Sequence, residues 1–213
     1  MAAPVVYGPG VSTYVRTVRL TLEEKALEYR LVEVDLLKGE HQEPAHRARH
    51  PFGKVPVLEH DGYSLYETSA ITRYLDAAFP EVSLTPTDPR QIGRMQQAIA
   101  VVDAYVYKAL VTDIVIPRVL VPMTGGTPDE AAIQGALPMA ELCLRVLDEL
   151  LEGVSYLSGG GLGLADLHLA PILAYFSRTP EGGRLLPSYP NLQRWWGGIA
   201  SRESMARTQP GLG

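Results

Sequence analysis

The sequence predicts an α/β unit followed by an all-helical unit. Two observations carry that expectation. Residues 1–80 alternate short apolar runs of strand length with one-sided apolar stretches of helical period, and beyond a proline-rich break only helical period remains. Composition agrees with a globular chain: of 213 residues 46% are hydrophobic and 20% charged, enough to bury a sizeable core.

Val5-Val6-Tyr7 ends at Gly8-Pro9-Gly10 and reads as a short buried strand stopped by turn residues. A helix follows, with Val15, Val18 and Leu22 on one side, Glu23, Glu24 and Lys25 on the other, and Ser12 or Thr13 as its N-cap. Residues 29–35 form a second strand, and the order strand, helix, strand favours parallel pairing. After a polar loop, Val55–Leu58 and Tyr63–Tyr66 flank Asp61-Gly62, a two-residue hairpin signal. A second helix begins near Ser69, with Ile71, Tyr74, Leu75, Ala78 and Phe79 as its apolar face. The expected first domain, residues 1–80, is therefore βαβ followed by ββα, a four-stranded mixed sheet with helices packed on it.

The stretch from Pro80 to Pro89 holds three prolines and is expected to be a linker over residues 81–89. Residues 90–213 form the expected helical domain. Ile92, Met95, Ile99, Val102, Val106 and Leu110 mark one long amphipathic helix, and Ile133, Leu137, Leu144, Leu147 and Leu151 a second, which Pro138 should bend. Shorter helices are expected over Leu164–Phe176 and Asn191–Arg202, and a frayed tail from Thr208 to Gly213.

Charge and cysteine usage narrow the chemistry. With 19 Lys+Arg against 24 Asp+Glu the formal net charge is -5, which offers no basic field for nucleic acid. No apolar run is long enough to span a bilayer, and the first residues lack a basic leader; the expectation is a cytoplasmic protein with no membrane partner. Cys143 is the single cysteine, so no internal disulfide or Cys-x-x-Cys pair exists.

Several residues could carry chemistry. Ser12 stands where a strand gives way to a helix, so its hydroxyl could donate to an anion held by the unpaired N–H groups there, or simply cap the helix. In Gly53-Lys54-Val55-Pro56-Val57 a proline opens a strand; this fits an edge strand, or a special turn with a cis peptide whose backbone is offered to a peptide-like ligand. Glu67-Thr68-Ser69 opens the second helix, and Thr68 could cap it. His41, His46 and His50 share a segment with Arg47 and Arg49, but with no carboxylate or cysteine at metal-ligand spacing it reads as a solvated basic loop, and no metal is expected. Tyr7 is a rival phenolic donor.

Residues 7–25 (Tyr-Gly-Pro-Gly-Val-Ser-Thr-Tyr-Val-Arg-Thr-Val-Arg-Leu-Thr-Leu-Glu-Glu-Lys), Lys-Gly-Glu-His (38–41), His-Pro-Phe-Gly-Lys-Val-Pro-Val-Leu (50–58) and Tyr-Glu-Thr-Ser-Ala-Ile-Thr-Arg-Tyr-Leu (66–75) together resemble the cytosolic glutathione transferases. The pattern looks most like the serine-type phi class and related bacterial enzymes, and it continues through Gly-Leu-Ala-Asp-Leu (163–167) and Asn-Leu-Gln-Arg-Trp-Trp (191–196). The resemblance implies a thioredoxin-like first domain, glutathione as co-substrate, and conjugation of its thiolate to small hydrophobic electrophiles. It further implies that Ser12 donates to the thiolate, that His41 and Lys54 hold the glycine carboxylate, and that Val55, before a cis Pro56, pairs with the cysteinyl backbone. Glu67 and Thr68 would grip the γ-glutamyl end, and Phe52 would insert into the partner of a homodimer. Three positions depart from the family pattern: Thr68 stands for serine, His50 for asparagine, and Gly163 for the Ser/Thr cap ahead of Asp166.

The electrophile site is expected on the helix from residue 90 to 120, where Tyr105 and Tyr107 stand near Ile114. The same scaffold could support a glutathione-dependent dehalogenase, isomerase or peroxidase, or a non-catalytic binding module. A cysteine-type thiol transferase is disfavoured, because Cys143 lies in the helical half.

Overall fold

β1 (Val5–Tyr7) sits inside a four-stranded sheet of order β2-β1-β3-β4 in the computed structural model of the chain, which describes residues 2–210. It pairs in parallel with β2 (Arg30–Val32) and antiparallel with β3 (Val57–His60), which pairs antiparallel with β4 (Tyr63–Tyr66). The β3–β4 turn has positive φ at both central residues, Asp61 at 47° and Gly62 at 77°, the conformation that favours an Asp-Gly pair there.

Register decides which side chains share a face. Val6 lies opposite Leu31 and Leu58, and Leu58 opposite Leu65. That face is covered by α1 (Thr13–Glu24) and α3 (Thr68–Ala78), giving one core of Val6, Val15, Val18, Leu22, Leu58, Ile71, Leu75 and Phe79. Tyr7, Glu59 and Tyr66 point to the other face. There the chain after β2 forms a 3₁₀ turn, Glu40–Gln42, and a one-turn α2, Pro44–Arg47, in place of the plain polar loop expected. The segment is solvated as expected at residues 42–45, Arg47 and Ala48, but His46 and His50 are buried; the His50 ring packs on Tyr66 with centroids 4.6 Å apart.

Contacts divide the chain into two compact units, one running to Leu84 and resumed from Ser201, the other spanning Thr85–Ala200. Apolar period places the end of the first domain at residue 80 and the tail with the helices. Two polar networks move those boundaries, and periodicity cannot reveal either. The buried Asp76 carboxylate accepts from Lys25 Nζ at 3.0 Å and from the Leu84 N–H at 2.8 Å, while Lys25 also donates to Val82 O, binding 81–84 to the first unit. At the other end α10 (Glu203–Arg207) and Thr208 are hydrogen-bonded to α1, and Thr208 is fully buried. The expected fraying therefore fails for Thr208; residues 211–213 lie outside the described residues.

In the second unit α4 (Pro89–Val101) starts at Asp88, whose carboxylate accepts from Arg90 N and Gln91 N. It runs directly into a wider, π-helical stretch, Val102–Leu120, and a short α5, Val121–Met123. α6 (Glu130–Leu150), α7 (Leu164–Phe176), α8 (Pro180–Leu185) and α9 (Pro190–Ala200) complete it. Every residue of α7 is buried. Gly163 starts that helix without a side-chain cap; Asp166 compensates by accepting from the Gly163 N–H at 2.9 Å, the Leu157 N–H at 2.8 Å and Trp195 Nε1 at 2.7 Å. No helix among the described residues is long and apolar enough to cross a membrane.

Candidate active site

Topology brings three of the predicted segments to one end of the sheet. β1 ends at Tyr7 opposite Val57, where β3 begins, and Val57 lies opposite Tyr66, where β4 ends. The loop carrying Ser12, the Lys54-Val55-Pro56 segment and the Glu67-Thr68 pair therefore leave the sheet side by side. Gly8 closes them up: a Cβ there would meet Val15 Cγ2 at 2.5 Å and Val55 Cβ at 3.0 Å, so the first turn of α1 and the Val55 loop pack on bare backbone.

Ser12 is the N-cap of α1. Its Oγ accepts from the Val15 N–H at 3.4 Å, a long contact that leaves the hydroxyl hydrogen to donate elsewhere. The residue is half-buried at the positive end of a 12-residue helix with no acidic residue in its first turn. The preceding loop is fixed by Ser12 N to Pro9 O at 3.0 Å and by the Gly10 N–H, which donates to the Glu33 carboxylate at 3.2 Å.

The Val55–Pro56 bond is cis, and the Val55 N–H and C=O have no hydrogen-bond partner among the described residues. A backbone pair left open beside a strand is what an extended peptide uses when it adds to a sheet. Lys54 is exposed, while its carbonyl bonds His46 Nε2 at 2.7 Å. His41 lies in the 3₁₀ turn, which Gln42 ties to Gly53 O at 3.2 Å; its buried Nδ1 has no hydrogen-bond partner among the described residues. Glu67 is exposed with φ 70° and ψ 119°, a conformation that costs a non-glycine residue about 1–3 kcal/mol and clusters at functional sites. Because Glu67 turns there, it and not Thr68 is the N-cap of α3, and no side chain caps that helix; Thr68 is buried at its first position.

These features suit a peptide-like ligand beside Val55, and comparison with known proteins gives the family. Residues 6–83 match the family description "Glutathione S-transferase, N-terminal domain" and residues 101–203 match "Glutathione S-transferase, C-terminal domain". Glutathione S-transferase F13 of Arabidopsis thaliana is 32% identical over 210 residues, covering 97% of this chain and 95% of that protein. The crystal structure of glutathione transferase F7 from Populus trichocarpa superimposes with a TM-score of 0.88 at 30% identity, covering 97% of each chain. That of maize glutathione S-transferase I, in complex with an atrazine glutathione conjugate, has a TM-score of 0.84 at 31% identity, covering 97% of this chain and 96% of that one.

The chain belongs to the glutathione S-transferase family.

It is a transferase with glutathione as co-substrate, and the remaining candidates can be weighed within that family. The Tyr7 phenol donates to Glu59 Oε2 at 2.6 Å, and Arg49 lies over its ring at 4.6 Å. The hydrogen bond to Glu59 raises the phenol above its ordinary acidity range, and burial adds to the shift. Its proton is engaged on the sheet face that carries Glu59. Cys143 is buried, which pushes its thiol up and away from nucleophilic use. Phe52 is 67% exposed. Of the acceptor-site candidates Tyr105 is exposed and Tyr107 half-buried, both on the wide helical stretch, whereas Ile114 has no exposed surface and is a core residue. Among the described residues no group of three or more His, Cys, Asp or Glu could hold a metal.

The bonds by which Glu33 holds the Gly10 loop and His46 holds Lys54 leave no local trace in the sequence. Neither residue sits at a spacing that announces a partner 23 or 8 residues away.

Proposed function

We propose that the Ser12 hydroxyl donates to the sulfur of bound glutathione and holds it as a thiolate, which the enzyme transfers to small hydrophobic electrophiles. The observation that carries this reading is the Ser12 hydroxyl, free to donate at the start of α1, beside an unpaired Val55 backbone. In the same proposal Val55 pairs with the cysteinyl backbone before cis Pro56, His41 and Lys54 take the glycine carboxylate, and Glu67 and Thr68 take the γ-glutamyl group. Tyr105 and Tyr107 contact the electrophile. Exposed Phe52 seats in a second copy of the chain to make a homodimer, and the enzyme works in the cytoplasm.

The energies are sufficient. A free thiol with a pKa of about 8.5 needs a depression of about two units, or about 2.7 kcal/mol, to be mostly ionised at neutral pH. A hydrogen bond to a charged group supplies about 1.5–3 kcal/mol and a helix N-terminus about 0.3–1 kcal/mol. Because nucleophilicity falls with pKa at a slope of about 0.4–0.5, ionisation alone gives several-fold in rate; the rest must come from holding the electrophile near the sulfur.

The test is the ultraviolet absorbance of bound thiolate across pH in the wild type and in Ser12→Ala. A depressed thiol pKa in the wild type that the variant loses is the expected result. A variant that keeps the depression reduces Ser12 to a helix cap, and a wild type with no bound thiolate favours a non-catalytic binding module.

A further inference from the structure

Ser12 belongs to a helix that the C-terminal segment holds in place. Arg16 is one turn along α1, its N–H bonded to Ser12 O at 2.9 Å, and the residue is only 4% exposed. Its guanidinium donates to Met205 O at 2.9 Å and to Thr208 Oγ1 at 3.3 Å. Thr208 Oγ1 spends its own proton on Ser204 O at 2.8 Å, so the lone pair that Arg16 meets is fixed in direction.

Arg19, one turn further, donates to Thr208 O at 3.3 Å and to the Tyr29 hydroxyl at 3.0 Å. The same guanidinium lies against the loop before Ser12: a Cβ on Gly10 would meet Arg19 Nη1 at 3.4 Å and Glu33 Oε1 at 3.5 Å. At the far end of α1, Arg202 grips Glu24 through two bonds of 2.7 and 2.6 Å, and Ser204 donates to the same carboxylate. A five-residue helix would fray if left to itself. Here it is fastened at three levels to the helix that carries the reactive hydroxyl.

We propose that α10 and Thr208 are a positioning element for Ser12, acting through Arg16 and Arg19; the proposal rests on Ser12 being the thiolate donor. A hydrogen bond to an anion depends steeply on distance and angle, and a displacement of about 1 Å at a reacting group can cost on the order of a hundredfold. The planar Arg16 fork, seated on one carbonyl and one oriented hydroxyl, resists both sliding and rotation of α1.

Thr208→Val tests this without altering a charge. It removes one of Arg16's acceptors while Met205 O stays, keeps the shape, and is expected to lower the bound thiolate fraction below neutral pH about threefold, equivalent to a half-unit rise in thiol pKa. KM for glutathione should stay within about twofold, because the residues proposed to hold its two ends are untouched. Arg16→Met should shift the thiol further in the same direction, and Arg16→Lys should recover part of the loss. Amide exchange of Val15 and Arg16, in the first turn of α1, should quicken in Thr208→Val whether or not glutathione is present. A lowered melting temperature with unchanged thiol pKa and unchanged exchange in that turn would overturn the proposal. So would a shift seen in Arg16→Met but absent in Thr208→Val, which would assign the effect to charge and not to position. If the wild type shows no bound thiolate, the proposed function fails, and the exchange data alone decide whether α10 restrains the start of α1.

Discussion

The loops at one end of the sheet in the first unit and the interior of the helical unit are held together by different means. At that end of the sheet the chain turns on a few polar bonds: Gly10 to Glu33, Lys54 to His46, Gly53 to Gln42. In the helical unit α7 is buried along its whole length, and its N-terminal turn is held by one carboxylate, Asp166, which accepts from Gly163, Leu157 and Trp195. Dense apolar burial gives rigidity without offering free donors. The end of the sheet keeps a hydroxyl and a backbone pair unspent, which is why the proposed ligand chemistry is placed there.

Asp166→Ala should produce the largest effect and break the comparison if it fails. Removing the carboxylate leaves the Leu157 and Gly163 N–H groups and the Trp195 indole without their acceptor in a fully buried site. A loss of about 3–5 kcal/mol is expected in urea unfolding, with activity per folded molecule little changed. Gly8→Ala acts on the other region. Its Cβ would stand 2.5 Å from Val15 Cγ2 at a φ of 142°, so either α1 or the Val55 loop must shift. We expect about 1–3 kcal/mol of destabilisation and at least a tenfold loss in glutathione affinity, read by calorimetry. The inverse ratio of stability to binding losses in these two variants is what the comparison requires.

Smaller effects sharpen it. Tyr7→Phe removes a phenol already committed to Glu59, and kcat/KM should stay within about threefold. His50→Asn tests the buried histidine packed on Tyr66. Burial holds its imidazole below the ordinary value of 6.5, so between 6.5 and the lower folded value the unfolded chain binds the proton more readily. Stability is therefore full above pH 6.5 and declines as pH falls toward the folded value. The variant should lose that slope in melting temperature against pH. Glu24 behaves likewise lower on the scale. Burial works against its carboxylate, but hydrogen bonds from Arg202 and Ser204 outweigh it and hold the carboxyl below 4.5, so the grip on α10 persists above that value and is released as pH falls through the lowered one.

What the sequence revealed follows the same division. Strands, the Asp-Gly hairpin, α1, α3 and the long helices were legible because apolar period and turn residues are local signals. Among the helices that escaped, α2, α8 and α10 are of four to six residues, too short for a period to show. Burial of His46 and His50 escaped because composition predicts solvation, while the sheet face beneath them carries Tyr66 to pack on. Ser12 as N-cap was readable from its place after a strand; Thr68 was misplaced by one because Glu67 takes a positive φ that no residue type other than glycine announces. The hold of Arg16 on Thr208 spans 192 residues and leaves no local trace.

The central claim is tested most directly by the pH dependence of kcat/KM for a chromogenic electrophile in Ser12→Ala beside Tyr7→Phe. A Ser12 donor predicts that the apparent pKa of the rate profile moves up toward the free thiol value of about 8.5 in Ser12→Ala and stays in place in Tyr7→Phe. An unmoved profile in Ser12→Ala, with a displaced one in Tyr7→Phe, would contradict it and return the thiolate to the phenol.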